Sequence, residues 1–247
     1  MSAVEFTLDR CRSILDRLRS AGYAFRGYDD DVGAGDVLLR HDVDLSPERA
    51  VDVARIEREL GITATYFVLL GSPLYNPFDA PVREAFEEIA GLGHDVGLHF
   101  STHQHWPATE PPTEAELAAR IRDEQAALSA VVPDPVSTVS FHVPPEWVLA
   151  RTFEGVESTY EPRFFDEIDY VADSGQRWRE EGVAIPDDGR PLQVLIHPGL
   201  WGEADGSFEA RVQAAVDDAD RRTREYARSR YLESERIRRV ATGPQEV

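Results

Sequence analysis

The 247-residue chain contains no lysine, one cysteine and one methionine. A lone Cys11 excludes a disulfide within the chain and a zinc site built from several thiolates, so any metal site must use His, Asp or Glu. No segment approaches the run of about 18 apolar residues that a membrane-spanning helix needs. Residues 1–20 also lack the apolar segment of a signal peptide. The sequence therefore predicts a cytoplasmic protein without a membrane span.

The charge is strongly one-sided, because 26 basic residues, all arginine, face 46 acidic ones and leave a net charge of −20. Such a charge repels nucleic acid phosphates and anionic membrane surfaces, so neither is an expected partner. Two interpretations of this composition stay open. An acidic proteome from a halophile is the one we favour, and a GC-rich genome that prefers arginine codons is the other.

Short apolar runs alternate with helical patterns along the chain. With 42% hydrophobic residues the chain can build a core. Residues 37–39, 62–70, 95–100, 136–141 and 192–196 are predicted strands, and capped or amphipathic segments lie between them. This alternation predicts an α/β fold with a parallel sheet, in which six or seven strand–helix units form a closed or partly closed barrel.

The organisation along the chain is that of one domain covering residues 1–247. We expect an N-terminal helix and loop over residues 1–35 and a core that carries the motifs over residues 36–202. A long helix rich in arginine and alanine is predicted over residues 207–240. Neither an internal repeat nor a low-complexity linker divides the chain.

Histidines and carboxylates gather where the predicted strands end. Asp42 and Asp44 lie at the C-terminal tip of the first strand, His99 ends the third, and His142 and His197 lie at the ends of the fourth and the last. In barrels of parallel strands, the carboxyl ends of the strands meet on one face, where active sites lie. The joint pattern therefore predicts a single site that contains these side chains.

The spacing of these residues suits a divalent metal ion. His99 and His103 are four residues apart, which on a helical turn places both imidazoles on one side, while Asp42 and Asp44 face the same way along an extended segment. Two histidines and one carboxylate can hold a cation with positions open for water and substrate. The second carboxylate can then take a proton from water, and His197 can protonate a leaving group. These residues are suited to metal-assisted hydrolysis of an amide or ester.

Four segments, taken in order, resemble the motifs of the polysaccharide deacetylases, the NodB-homology superfamily of metal-dependent carbohydrate esterases. They are Arg-His-Asp-Val-Asp at 40–44, Gly-Leu-His-Phe-Ser-Thr-His at 97–103, Ser-Phe-His-Val-Pro-Pro at 140–145 and Leu-Ile-His-Pro at 195–198. The first motif, with residues 170–174 and Trp178, looks like a deacetylase-like subgroup linked to surface-polysaccharide loci. The resemblance implies a distorted (β/α)7 barrel with N- and C-terminal helices.

The resemblance also implies a role for each matching residue. Asp42 would be the general base and His197 the general acid. Asp44, His99 and His103 would hold one divalent ion, with zinc first and cobalt, nickel, manganese or iron as alternatives.

A further group matches supporting positions around the reaction centre or in the substrate pocket. Asp173 lies where the family has an acidic residue in its fourth motif. The other members of this group are Arg40, His142, Trp178 and Trp201.

The third motif departs from the family pattern. Where the family has an arginine that orients the base, this chain has His142 or Val143, and Arg40, His142 or Arg177 are open as substitutes. The backbone N–H that faces the developing oxyanion in the family is missing if Pro145 holds that position.

The resemblance implies a hydrolase that removes an acetyl or other acyl group from an N- or O-acetylated sugar or a polysaccharide precursor. Two alternatives stay open. One is an amidohydrolase acting on a small non-sugar amide or imide, which the split Asp42-Val43-Asp44 pair suits. The other is a catalytically silent protein that binds metal or glycan, which the altered third motif suits.

Overall fold

The computed structural model describes residues 4–107, 109–233 and 237, in which a parallel sheet is flanked by helices. The strands are β1 (Ala24–Arg26), β2 (Asp36–Val43), β3 (Thr65–Val68), β4 (Asp95–Phe100), β5 (Val139–Phe141), β6 (Asp169–Ala172) and β7 (Leu192–Ile196). The helices are α1 (Leu8–Ser20), α2 (Pro47–Leu60), α3 (Ala80–Gly91), α4 (Glu114–Leu128), α5 (Pro162–Phe165), α6 (Trp178–Glu181) and α7 (Phe208–Ala227).

The strand order is β5-β4-β3-β2-β7-β6, with β1 paired to the first half of β2, and every pair is parallel. The predicted α/β fold, with a parallel sheet that forms a partly closed barrel, is confirmed. Because all strands run the same way, their carboxyl ends open onto one face, and β2 lies near the middle of it.

The curled sheet is completed by side chains at the gap between its two edge strands. Among the described residues no ladder joins β5 to β6. Beside β5, Ser158 forms a single parallel bridge with Val139, and the backbone N–H of Thr159 donates to the Val139 carbonyl at 3.0 Å. Ring centroids of Tyr160 and Phe165 lie 5.2 Å apart, and those of Phe165 and Tyr170 of β6 lie 4.9 Å apart.

Local capping signals place the helix that follows the first motif. The Ser46 hydroxyl accepts a hydrogen bond from the Arg49 backbone N–H at 3.2 Å, and Pro47 occupies the first turn, where it needs no donor. Gly61 ends α2 in the left-handed region with φ 71°, which suits a residue without a Cβ. These caps place the start of α2 directly after the first motif.

Strand β2 is longer than the apolar run that predicted it. The predicted strand, with the apolar run at residues 37–39 and the polar tip after it, extends to Val43, because residues 40–43 pair with residues 65–68 of β3. Arg40, His41 and Asp42 of the first motif are therefore held inside the sheet, and Asp44 directly follows its end. This longer strand gives the site a rigid backbone.

The C-terminal helix is interrupted. In place of one helix over residues 207–240, α7 ends at Ala227 and a wider π-helical turn covers Arg228–Leu232. Residues 234–236 and 238–240 of that prediction lie outside the described residues. None of the described helices is both long enough and apolar enough to cross a membrane.

Candidate metal and catalytic site

Three side chains from three segments converge at the carboxyl ends of the strands. Oδ1 of Asp44 lies 3.1 Å from Nε2 of His99 and 3.2 Å from Nδ1 of His142. The two imidazole nitrogens are 3.2 Å apart, so the three atoms form a nearly equilateral triangle. We call this group of Asp44, His99 and His142 the ligand triangle.

The ligand triangle fits one divalent cation. Zinc binds imidazole nitrogen and carboxylate oxygen at about 2.0–2.2 Å in a tetrahedron, which spaces neighbouring ligand atoms about 3.3 Å apart. The three observed spacings, 3.1, 3.2 and 3.2 Å, agree with this value. Oδ1 of Asp44 is also buried without a hydrogen-bond partner among the described residues. Since such an oxygen is costly to bury unpaired, a cation is the partner it suits.

The electrostatics of the ligand triangle keep Asp44 ionised. Burial alone would raise the pKa of Asp44, but its contacts with His142 and His99 outweigh burial and hold the pKa well below its ordinary value. Burial would likewise lower the pKa of His142, but its contact with Asp44 is stronger and raises it. A carboxylate that stays deprotonated inside the protein is the form that binds a cation.

The backbone after β5 explains why His142 reaches the triangle. Val143 has a left-handed φ of 44°, a strained value for a β-branched residue, and Pro144 after it restricts the backbone further. Strain of this kind concentrates at functional sites. Here it turns the chain directly after His142, whose backbone N–H still donates to the Phe100 carbonyl of β4 at 2.8 Å.

His103, which the sequence predicted as a ligand, lies outside the triangle. The prediction assumed that His99 and His103 share a helical turn, but His99 lies within β4 and residues 102–104 form a 3₁₀ turn. The His103 imidazole is exposed, and its Nε2 lies 2.9 Å from the Val143 carbonyl oxygen. The structure therefore groups His142, and not His103, with the other two predicted ligands.

Asp42, predicted as the base, is 2% exposed and held from two sides. Its Oδ2 accepts a hydrogen bond from Nη2 of Arg40 at 3.1 Å, and its Oδ1 accepts one from the Ser140 hydroxyl at 2.9 Å. The same Oδ2 lies 3.9 Å from Nε2 of His99, beside the ligand triangle. Burial would raise the pKa of Asp42, but the charge of Arg40, followed by those of His99 and His197, outweighs burial and lowers it.

Arg40 is fully buried next to Asp42 and fixes its position. The guanidinium donates to the Tyr160 hydroxyl at 2.7 Å and to the Thr159 hydroxyl, and it lies 4.7 Å from the centre of the Tyr160 ring. Of the residues open as substitutes for the arginine of the third motif, Arg40 is the one that hydrogen-bonds the base. Strand β2 thus supplies both Asp42 and the guanidinium group that orients it.

The Asp173 carboxylate holds His197 in one orientation. Nδ1 of His197 lies 2.6 Å from Oδ1 of Asp173, and the His197 backbone N–H also donates to this carboxylate at 3.0 Å. Nε1 of Trp201 donates to Oδ2 of Asp173 at 2.8 Å. With Nδ1 engaged in this way, Nε2 faces the ligand triangle, 3.9 Å from Oδ2 of Asp44.

The surroundings of His197 favour its protonated form. Burial would lower the pKa of His197, but the charge and hydrogen bond of Asp173, with smaller contributions from Asp44 and Asp42, raise it to about 9. At neutral pH the imidazole therefore carries a proton on Nε2. A proton donor beside the ligand triangle is what protonation of a leaving group requires.

The two predicted tryptophans are buried and contact Asp173 directly or through each other. Trp178 is 1% exposed and Trp201 is fully buried, and their ring centroids lie 6.2 Å apart. Trp201 holds Asp173, while Trp178 packs against Trp201. Both therefore act on the site through Asp173 and not as walls of a substrate pocket.

Two cavities of about 360 Å³ each meet at the ligand triangle. Asp44, His142 and His197 line both, together with Val143 and Ser174. The cavity that also contains Asp42 is lined by aromatic and polar groups, and we call it the polar compartment. Its further lining includes Tyr160, Phe165, Tyr170, Leu195 and Arg177.

The second cavity, here called the apolar compartment, lies among the loops after β2, β3 and β7 and the start of α7. Apart from the shared residues, Ser72 and two glycines, aliphatic and aromatic side chains and a proline line it. These are Leu45, Leu69, Pro73, Leu74, Leu200 and Phe208. Each compartment opens directly onto the atoms that would hold the cation.

Ser140, Thr159 and Tyr160 are site residues that sequence reasoning missed. Ser140 lies two residues before His142 on an extended segment, so the alternation of side chains could have placed it on the same face. Thr159 and Tyr160 lie in an irregular segment that reaches Arg40 from more than a hundred residues along the chain. No local pattern indicates that contact.

No protein-family model matches the chain, and no curated protein matches it. Among solved structures, it is similar to a CE4 esterase of Streptococcus mutans, with 12% identity, a TM-score of 0.47 and coverage of 90% of this chain and 89% of that one. It is also similar to the Streptococcus pyogenes deacetylase PplD, with 15% identity, a TM-score of 0.46 and coverage of 78% and 83%.

A third similar structure is BA3943, a CE4 family pseudoenzyme from Bacillus anthracis. The identity is 15% and the TM-score 0.42, with coverage of 75% of this chain and 60% of that one.

Proposed function

We propose that this chain is a metal-dependent hydrolase that removes an acyl group from an acylated sugar or polysaccharide precursor. The observation that carries the proposal is the ligand triangle with Asp42 and His197 beside it. Asp42 is an ionised carboxylate fixed by Arg40, and His197 is a protonated imidazole fixed by Asp173. A cation site with a separate base and acid is suited to hydrolysis of an ester or amide.

The ligand triangle would hold one divalent cation through one carboxylate oxygen and two imidazole nitrogens. This donor set suits zinc and also cobalt, nickel, manganese and iron. When bound, the cation would polarise the acyl carbonyl and lower the pKa of the attacking water, so that this water can lose a proton near neutral pH. The protein residues around the triangle then have two tasks, which are to accept one proton and to donate another.

Asp42 accepts the proton from the attacking water. Its Oδ2 lies beside the ligand triangle, 3.9 Å from Nε2 of His99, and its two hydrogen bonds hold the carboxylate in one orientation. The positive charge of Arg40 keeps Asp42 ionised and ready to take the proton. General-base assistance by such a group is worth about 10²–10⁴-fold in rate.

His197 donates a proton to the departing alcohol or amine. The hydrogen bond to Asp173 engages Nδ1, so the proton on Nε2 is the one that faces the reaction centre. Without a proton donor the leaving group would depart as an alkoxide or amide anion. The raised pKa of His197 means that the donor form is the populated one at neutral pH.

The polar compartment suits a sugar as the group that leaves. The half-buried ring of Tyr170 offers a face for a pyranose ring, while the exposed guanidinium of Arg177 and the hydroxyl of Ser174 offer hydrogen bonds. A cation-assisted hydrolase with this pocket would cleave the acyl group and release the sugar hydroxyl or amine.

The test is acyl release by protein from which metal has been stripped and then restored with Zn²⁺, Co²⁺ or Mn²⁺. Acetate release from N-acetylglucosamine oligomers, acetylated xylose and small acetamides is measured for the wild type and for Asp42→Asn. We expect metal-dependent release from an acetylated sugar that Asp42→Asn reduces at least a hundredfold. Release from the acetamides alone would point to a non-sugar amidohydrolase. Stoichiometric metal without any release would contradict the proposal in favour of a binding protein.

A further inference from the structure

The apolar compartment is far larger than an acetyl group requires. Its volume of about 360 Å³ is that of roughly twelve liquid waters at about 30 Å³ each, whereas an acetyl group would place a single methyl there. Beyond the ligand triangle, the polar side chains in its walls are those of Ser72, Ser174 and His197, and the rest of the lining, glycines aside, is apolar. Water in such a space has few partners, so filling it with hydrocarbon is favourable.

The compartment is also part of the reaction centre and not a separate surface groove. Asp44, His142 and His197 line it, so a group inside it is within reach of the carbonyl that the triangle would hold. Asp42 and Arg177 line only the polar compartment. The two sides of the scissile bond therefore meet different chemistry, one aromatic and polar, the other aliphatic.

Two wall residues show how the compartment is formed. Leu74 belongs to the loop after β3, and Phe208 is the first residue of α7. Phe208 leaves 47% of its surface exposed at the rim. An apolar chain lying in the compartment would cover part of this exposed ring, which gives the occupant additional apolar area to bury.

We propose that the acyl group removed by this site is an aliphatic chain of about four carbons or more, seated in the apolar compartment, with the sugar in the polar compartment. The inference rests on the proposed function, because it names the acyl half of that substrate. Hydrolysis then adds water across the acyl bond, giving a fatty carboxylate and a free sugar hydroxyl or amine. This substrate class differs from an acetylated sugar only in the length of the acyl chain.

The first experiment measures kcat/KM of the metal-restored protein for 4-nitrophenyl esters of acetate, butyrate, hexanoate and octanoate. Each methylene buried in the compartment is worth about 0.8 kcal/mol, which is about fourfold. We expect kcat/KM to rise by about threefold to fourfold per methylene up to hexanoate. A maximum at acetate would overturn the inference while leaving the proposed hydrolase intact.

Two variants test where the acyl chain of the substrate binds. In Phe208→Ala the hexanoate-to-acetate ratio of kcat/KM should fall at least fivefold, because the rim loses its aromatic wall. Phe78→Ala is the matched control, since Phe78 is 50% exposed but does not line the compartment, and its ratio should not change. Equal ratios in both variants would contradict the assignment.

A parallel series separates the two sides of the bond. Ethyl, butyl and hexyl acetate lengthen the leaving group instead of the acyl group, and we expect no comparable rise. A rise only in this series would overturn the inference and place the aliphatic chain on the leaving group.

Binding of the products gives a readout that does not depend on turnover. By calorimetry, hexanoate should bind at least tenfold more tightly than acetate to the metal-restored protein, and Phe208→Ala should reduce this difference. If no ester is hydrolysed but hexanoate binds as expected, the hydrolase proposal fails and the compartment still holds an aliphatic carboxylate. Equal binding of hexanoate and acetate would overturn the inference.

Discussion

Strand β2 carries two buried clusters of acids and bases, one on each of its faces. Arg40 and Asp42 point to the interior of the curled sheet, where the ligand triangle lies. His41, between them, points to the opposite face and meets Glu57 of α2, with Nε2 to Oε1 at 2.7 Å. Both clusters are buried and both pair histidine with a carboxylate, yet only one opens onto a cavity.

The cluster around Glu57 is closed. Its second oxygen accepts a hydrogen bond from the Tyr66 hydroxyl at 2.6 Å, and the ring of Tyr66 stacks on His41 with centroids 4.3 Å apart. His94 lies beside them and bonds the Ala54 carbonyl through Nε2 at 3.0 Å. Both carboxylate oxygens are thus satisfied by protein. Nδ1 of His41 and Nδ1 of His94 are buried without a hydrogen-bond partner among the described residues, but neither histidine lines any of the cavities found there.

The ligand triangle, in contrast, has a carboxylate oxygen that protein does not satisfy and that a cavity reaches. Oδ1 of Asp44 has two nitrogens within 3.2 Å but no hydrogen bond, and the cavity reaches it from two sides. The comparison shows that burial and histidine–carboxylate proximity do not identify a site. Unsatisfied ligand atoms with access to a cavity do.

The largest expected effect comes from removing a ligand. Asp44→Asn should reduce kcat/KM at least about a thousandfold, since the cation contributes several kcal/mol to the transition state. Glu57→Gln, the matching change in the closed cluster, should leave kcat/KM per folded molecule within about twofold. Steady-state kinetics with the best acyl ester, normalised to folded protein, measures both. Similar losses in both variants would erase the distinction between the two clusters.

A smaller loss is expected from the base, with the metal retained. Asp42→Asn should lower kcat about 10²–10³-fold because general-base assistance is removed. Metal content should stay stoichiometric, because Asp42 is not a member of the ligand triangle. Elemental analysis and kinetics of the same preparation test this. Loss of metal in Asp42→Asn would mean that Asp42 is itself a ligand.

The pair of His197 and Asp173 predicts a pH dependence of stability in metal-stripped protein. Folding raises the pKa of His197 to about 9 from an unfolded value of about 6.5. Protonated His197 therefore contributes about 3 kcal/mol to the free energy of unfolding. This contribution is fully present below about pH 6.5 and is lost as pH rises through about 9.

Urea unfolding between pH 6 and 10 measures this loss. In Asp173→Asn the free energy of unfolding should change less between pH 6 and 10, because the negative charge that most strongly favours protonated His197 is removed. The closed cluster offers the control, since Tyr66→Phe leaves the slope between pH 6 and 10 unchanged. An equally steep curve in Asp173→Asn would contradict the assigned cause.

The smallest effect is expected in the closed cluster. Tyr66→Phe removes the hydroxyl that satisfies Oε2 of Glu57 and should lower the free energy of unfolding by about 1–3 kcal/mol. Activity per folded molecule and metal content should stay unchanged. Urea unfolding at pH 7 with a parallel activity measurement checks this. A drop in kcat beyond threefold would show that the two faces of β2 are coupled.

Much of the fold was predictable because its signals are local. The apolar runs predicted β2, β3, β4, β5 and β7, whereas β1 lies in the segment predicted as a helix and loop. Ser46 and Thr113 are residue types that favour helix starts, and they cap α2 and α4, where Thr113 and Glu116 form a capping box. The alternation of strand and helix indicated a parallel sheet and hence one face for the site. The polar tip of β2 was also predicted, but its pairing partners on β3 and its contacts in the interior were not, because they depend on tertiary structure.

The site was predictable by residue type but not by detailed geometry. The positions of Asp42, Asp44, His99 and His197 at strand ends followed from the sequence. The choice between His103 and His142 did not, because it depends on the positive φ of Val143 and on the 3₁₀ turn after β4. Likewise, Arg40 meets Tyr160 only through tertiary structure.

The most direct test of the central claim is the metal content of two histidine variants. His142→Ala and His103→Ala are purified after equal exposure to Zn²⁺, dialysed against the same weak chelator and assayed by elemental analysis. The ligand triangle predicts one zinc per chain in the wild type and in His103→Ala, and a loss of most of the zinc in His142→Ala. Retention of zinc in His142→Ala with loss in His103→Ala would contradict it.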